Sequence, residues 1–247
     1  MKTIQVIKIL GKNDLKNIMR DDYISYLIFM PLGLGLLLRW GLPAVLDALG
    51  TYFASDLSSY YAVIAVCSVL LLLPIISGAI AGFLHLDQKD NKITSVLLLT
   101  PVSPRQYMLY NLLLPFFGSL LGTWLALLLA NPADLGLLRL FVLSLSASPL
   151  APLLAFAVAC FAENKIQGFA MMKGTIALWI APISAFYISP PWQYLLGIIP
   201  LYWPCRLYQV IAEGKPILPT FLAGWLYSGI LLYLLLKLFD RKVYQAD

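Results

Sequence analysis

Few residues in this sequence have types and spacing that could do chemistry. His85 is the single histidine, and Ser77-Gly78 precedes it by about two helical turns, the raw material of a serine nucleophile with a histidine base. Such a pair needs a third group to orient the base, and no Asp or Glu lies between residues 57 and 86. Gly78 and Gly82 instead set small residues four apart, a spacing that lets two apolar helices pack closely. Cys67, Cys160 and Cys205 are widely spaced and suggest neither a disulfide framework nor a metal cluster, so packing is their expected role. The Gly-Lys pairs Gly11-Lys12 and Gly214-Lys215 lack the rest of a phosphate-cradling G-x-x-x-x-G-K-[ST] loop, so these residues do not form an ATPase. No catalytic residue, metal or cofactor is expected in this chain.

The densest charge pattern is Asp87-Gln88-Lys89-Asp90-Asn91-Lys92, followed by the apolar stretch Ile93 to Leu99. Asp90 or Asn91 could cap a short helix whose Ile93, Val96, Leu97 and Leu99 require cover from membrane or protein. Thr100-Pro101 stops it. Ser103-Pro104-Arg105-Gln106 then restarts a helix, with Ser103 as N-cap, Pro104 at the first position and Gln106 completing a capping box. A short helix held between two proline-containing turns is suited to receive force from a soluble partner.

The elements that position these residues follow from composition. The 247 residues are 61% hydrophobic and 12% charged, with mean hydropathy +0.84, outside the range of soluble globular chains. A bilayer core about 30 Å thick needs roughly 20 apolar residues per helix. Six segments qualify: 23–43, 57–84, 106–133, 140–162, 174–190 and 216–237. They are too long and too little alternating for barrel strands, so the fold class is an all-α six-helix transmembrane bundle. Pro74, Pro115, Pro149, Pro152 and Pro182 are expected to kink helices without breaking them. Residues 1–22 place Ile4, Ile7, Leu15 and Ile18 on one stripe and Lys8, Lys12, Lys16 and Arg20 on another, an interfacial amphipathic helix. No cleavable signal is expected there.

With six spans, thirteen of the 17 Lys and Arg residues fall on the side of the termini, leaving Arg39, Arg139, Arg206 and Lys215 opposite. The positive-inside rule then places both termini in the cytoplasm of a multi-pass plasma-membrane protein. Contact with anionic lipid accounts for the net charge of +5, and nucleic acid is not needed as a partner. On the outer side, Trp192 to Trp203 is too short to span and is bounded by Pro190-Pro191 and Pro204. It should dip into the outer leaflet as a re-entrant segment, 191–205, carrying Trp192, Tyr194, Pro200, Tyr202 and Trp203, with rings suited to the headgroup level.

The charged turn after the second span, the leucine-rich stretch and Leu99-Thr100-Pro101-Val102-Ser103-Pro104 resemble the ABC-2 type permease family. The amphipathic N-terminus, six-span layout and aromatic, proline-rich segment before the last span extend the resemblance over nearly the whole chain, especially to fluoroquinolone-export permeases. It implies an exporter subunit driven by a separate ATPase that carries the ATP and Mg, paired with a second permease copy or a related chain, in a bacterial setting. It also implies a coupling loop at 85–105, with Asp87, Lys89, Asp90, Lys92, Thr100, Pro101, Ser103, Pro104 and Arg105 as coupling residues, and an outer gate at the re-entrant segment. Family members often carry a glutamate in the charged turn, where this chain has Asp87 and Asp90. The expected cargo is a hydrophobic or amphipathic compound: drug-like, lipid or peptide. The rival reading is an ion-coupled transporter or channel, which would normally keep ionisable groups within its spans. Here His85, Glu163 and Asp134 fall at predicted span ends and are read as solvated.

Overall fold

The computed structural model describes residue 11 and residues 22–90, 104–189 and 191–244, and every regular element among them is helical. The expected N-terminal interfacial helix lies almost wholly outside these residues. Among the described residues, six helical stretches are long and apolar enough to cross a membrane.

The first consists of α1 (Asp22–Leu36) and α2 (Leu42–Phe53), joined by a π-turn at Leu37–Gly41. The expected end of this span near residue 43 is therefore corrected, because the helix runs on to Phe53. Pro43 supplies the reason: it has no N–H to donate and its ring crowds the carbonyl four residues back. The wider turn absorbs it, with the Leu42 N–H reaching back to the Leu37 carbonyl. The Leu38 carbonyl, which Pro43 cannot satisfy, accepts from the Tyr61 hydroxyl at 3.0 Å. Arg39 in the same turn donates to the Leu129 carbonyl at 3.0 Å, at the end of another helix where carbonyls lack intrahelical donors.

The second span, α3 (Tyr61–Asp90), runs 30 residues through Pro74. Ala65, Val66, Val69 and Leu70 are all wholly buried. With Cys67, Leu71, Leu73 and Ile75 also buried, burial extends around most of the helix, which makes α3 the axis of the bundle. Around it pack α4 (Pro104–Ala130), α6 (Leu150–Phe161) and α7 (Lys165–Ala177). The closest approach is to α6. A Cβ on Gly78 would stand 2.6 Å from the Ala151 carbonyl oxygen, and one on Gly82 would stand 3.0 Å from Val158 Cβ. Two small residues four apart thus set the α3–α6 distance.

The fourth span bends between α5 (Leu137–Ala147) and α6, where Ser148 keeps helical dihedrals and its hydroxyl donates to the Ser144 carbonyl at 2.6 Å. The fifth continues from α7 into the short α8 (Ile180–Ser184). A 3-10 helix, Trp192–Ile198, then leads through Pro200-Leu201 into α9 (Tyr202–Ala212). Pro200 and Leu201 share a cavity wall with Ile75 and Leu231, which lie near the midpoints of α3 and the final helix, α10 (Leu218–Tyr244). The segment is therefore a hairpin whose tip reaches the middle of the bundle and whose returning limb extends to Ala212, beyond the expected boundary at 205. The outward face of α10, including Leu222, Leu226, Ile230 and Tyr233, is left apolar and exposed, as a lipid-facing helix requires.

Candidate functional site

At the end of the bundle where α3 finishes, Asp87 Oδ1 meets Lys165 Nζ at 2.7 Å. Lys165 is the first residue of α7, where a cation opposes the helix dipole, and the carboxylate offsets that cost. Both side chains are partly exposed, so the pair contributes at most about 1 kcal/mol. Asn164 caps α7 by accepting the Gln167 N–H at 3.0 Å, and Gln167 Oε1 accepts the Glu163 N–H at 2.8 Å. These two bonds tie the turn after the fourth span to the start of the fifth. Lys89 and Asp90 lie in the final turn of α3, and Pro104 and Arg105 open α4. Lys92, Thr100, Pro101 and Ser103 fall outside the described residues, as does the expected coupling helix between them.

One turn inward, His85 is not solvated as expected: it is 6% exposed. Its Nδ1 lies 3.3 Å from the Tyr107 hydroxyl, which donates to Gln88 Oε1 at 2.6 Å. Its ring packs against Phe239 at 5.0 Å. The three residues join α3, α4 and α10. Beside them Asn111 Nδ2 is buried without a hydrogen-bond partner, on a cavity of about 10 Å³ that also touches His85. That is near the volume of one water.

The hairpin between the fifth and last spans is built differently. Trp192 and Tyr194 are exposed, Pro200 is half-buried and Tyr202 is completely buried. Trp203 locks the two limbs together by donating from Nε1 to the Gly197 carbonyl at 3.0 Å, and the Tyr227 hydroxyl of α10 bonds the Ile198 carbonyl. Within α9, Arg206 is buried. Its Nη1 donates to Gln209 Oε1 at 2.7 Å, its guanidinium carbon stands 5.7 Å from the Tyr194 ring centre, and Glu213 Oε1 is 3.8 Å away. Glu213 also pairs with Lys215 at 2.6 Å. Sequence reasoning counted Arg206 only as an outer-side charge. The available signal was its spacing, since Gln209 and Glu213 follow at i+3 and i+7 on the same helix face. Cys205 and Cys67 of α3 are both buried in the same hydrophobic cluster, which packs α9 against α3. Gln193 Oε1 and the Tyr202 hydroxyl are buried without partners. Orphaned polar atoms cost about 1–3 kcal/mol each, and native proteins retain them where something else completes them.

Next to the hairpin, a groove of about 410 Å³ opens between α2, the N-terminal half of α3 and α8. Tyr60, Trp179 and Tyr187 give it aromatic walls, and Ser68 supplies a hydroxyl. The indole N–H of Trp179 is buried and unpaired. The volume suits a drug-sized ligand. No group of three or more metal-ligating side chains occurs among the described residues.

Comparison with known proteins agrees with this architecture. The family described as "Rv2686c-like: Fluoroquinolones export permease protein Rv2686c-like" matches residues 14–236. Two relatives from Mycobacterium tuberculosis are each 27% identical over 239 residues, covering 94% of this chain and 93% of their own: the fluoroquinolones export permease protein Rv2686c of strain H37Rv and protein MT2760 of strain CDC 1551. The match begins before the first span and ends within the last, so it covers the Asp87–Lys165 pair, the hairpin and the groove beside it together. This chain, a multi-pass helical membrane protein, belongs to the Rv2686c-like family of fluoroquinolone export permeases.

Proposed function

We propose that this permease is the membrane half of an ATP-driven ABC exporter, with both termini in the cytoplasm and ATP and Mg bound by a separate ATPase subunit. Two permeases, identical or related, enclose the pathway. The cargo is a planar amphipathic compound of the fluoroquinolone type. The observation that carries this reading is the axial helix α3. Its inner end adjoins the predicted coupling segment and pairs with α7 through Asp87–Lys165, while its outer half packs against the hairpin in the cluster that holds Cys67 and Cys205. A helix of 30 residues is about 45 Å long. Displacement at the coupling segment would therefore be delivered directly beneath the outer groove and hairpin. The aromatic groove walls favour a flat ligand.

The test is purification in mild detergent with mass spectrometry and an ATPase assay on whatever accompanies the chain. A stoichiometric ATPase, lost when residues 91–103 are scrambled, supports the proposal. A chain that purifies alone and moves a fluoroquinolone into vesicles on an ion gradient without ATP sinks it.

The burial of His85 beside a water-sized cavity supports a second reading, a proton-coupled carrier. His85→Gln separates the two. Gradient-driven uptake would disappear under proton coupling, whereas ATP-driven uptake would keep its pH profile.

A further inference from the structure

The inner half of the bundle carries a groove unlike the outer one. It has a volume of about 470 Å³, lies between α6, α7 and α10, and is roofed by Pro200 and Leu201 at the tip of the hairpin. Its walls are aliphatic apart from Phe161 at the mouth. The one hydroxyl in the lining, Thr175, is already committed to the Met171 carbonyl at 3.0 Å. A site that offers hydrocarbon on every side and no hydrogen bond selects a flexible aliphatic chain over a polar or heteroaromatic body.

The mouth supplies the other half of the recognition. On α10 the groove is lined by Leu231, Leu234 and Leu238, and the same stripe continues at i+3 into Arg241, which is exposed. Helical side chains lean toward the N-terminus of their helix, a direction that brings the arginine stem toward Leu238 and its charge within reach of the groove. Lys237 is exposed one turn earlier, whereas Lys165 at the same end is held by Asp87. An aliphatic slot ending in a cation at the membrane surface complements an anionic head joined to an acyl chain.

We propose that this groove is a specific site for a resident anionic phospholipid, whose phosphate sits at Arg241 and whose acyl chain runs up to Pro200-Leu201 beneath the hairpin. Its assignment to the cytoplasmic leaflet rests on the orientation proposed above. The lipid fills the space into which the hairpin tip would otherwise sink.

The full-length protein, reconstituted in nanodiscs of equal phosphatidylglycerol and phosphatidylcholine, is released into mild detergent and its retained lipids are weighed by native mass spectrometry. This readout needs neither an ATPase nor cargo, so its failure is distinct from failure of the exporter reading. Wild type should retain phosphatidylglycerol over phosphatidylcholine by about fivefold, the preference expected from one basic residue at a membrane surface. Arg241→Glu, at an exposed helix end where folding is not at stake, should abolish the preference. Leu154→Trp, which fills the groove, should reduce retention of both lipids. Soluble glycerol phosphate in excess should not displace the lipid. Equal retention of both lipids by wild type, or a preference that survives Arg241→Glu, overturns the proposal. Loss in Arg241→Glu with no change in Leu154→Trp assigns the lipid to surface charge alone and overturns the groove. Displacement by glycerol phosphate replaces the lipid with a free phosphate.

Discussion

The two ends of this permease handle polarity in opposite ways. At the inner end, polar contacts join different helices: Asp87 of α3 to Lys165 of α7, and His85 and Gln88 of α3 to Tyr107 of α4. In the hairpin most polar contacts close within one short stretch, Arg206 to Gln209 and Glu213 and Trp203 back to Gly197, with the bond from Tyr227 of α10 to the Ile198 carbonyl as the tie to a neighbouring helix. Bonds between elements break when the elements move, while bonds within one element travel with it. Under the proposed exporter function, the end where α3 finishes is the one whose contacts must rearrange, and the hairpin moves largely as one body about its tie to α10.

Both ends depend on α3, so the largest effect should come from disturbing its packing. Gly78→Leu drives a side chain into the Ala151 backbone, which cannot yield as a flexible side chain could, and should cost about 3 kcal/mol or more. Thermal unfolding in detergent measures it. A stability equal to wild type would mean that α3 and α6 are not in contact there. Next, Arg206→Ala removes a charged hydrogen bond and should destabilise the hairpin by about 1.5–3 kcal/mol while leaving any ATPase association intact. If ATPase binding fell with it, the hairpin would not be a self-contained body.

At the inner end, Asp87→Lys should lower thermal stability by no more than about 1 kcal/mol, since the pair is half exposed, yet uncouple ATP hydrolysis from export. The double exchange Asp87→Lys with Lys165→Asp should restore coupling. Failure of that rescue, measured as transported cargo per ATP, would leave the pair without a role between elements. The smallest effect concerns the outer loop. The Asp56 carboxylate accepts from the Ser58 side chain and from its N–H at 2.9 Å, and both bonds hold its pKa below the ordinary carboxylate value. A carboxyl lowered on folding contributes above its ordinary pKa and loses that contribution as pH falls through the folded value. Ser58→Ala removes the hydroxyl bond and keeps the N–H one, so it should raise the Asp56 pKa part of the way toward the ordinary value, as read by carbon NMR titration.

How much of this was legible beforehand depended on the range of the interaction. The six spans and the aromatic hairpin could be read because hydropathy and proline punctuation are local. Leu99-Thr100-Pro101-Val102-Ser103-Pro104 carried the family resemblance for the same reason. The burial of His85 escaped notice because Tyr107 and Phe239, which cover it, lie on other helices and leave no mark on its neighbours in sequence. The burial of Cys205 and Cys67 in one cluster is of the same kind. Arg206 and Arg39 misled in a specific way: a charge was taken to mark the end of the membrane, whereas one is buried in the hairpin and the other sits mid-helix on a carbonyl.

The π-turn at Leu37–Gly41 has a consequence for how this chain can vary. Such a turn holds about one residue more than an α-turn, so α2 is rotated by about 100° from where an unbroken helix would have carried it. That rotation directs Leu46 inward, where it is buried and lines the outer groove. Deleting one residue here would restore a regular helix yet turn Leu46 out of the groove wall. A change invisible to hydropathy would then reshape the proposed cargo site, making residue number in this turn, as much as residue type, a lever on what the permease accepts.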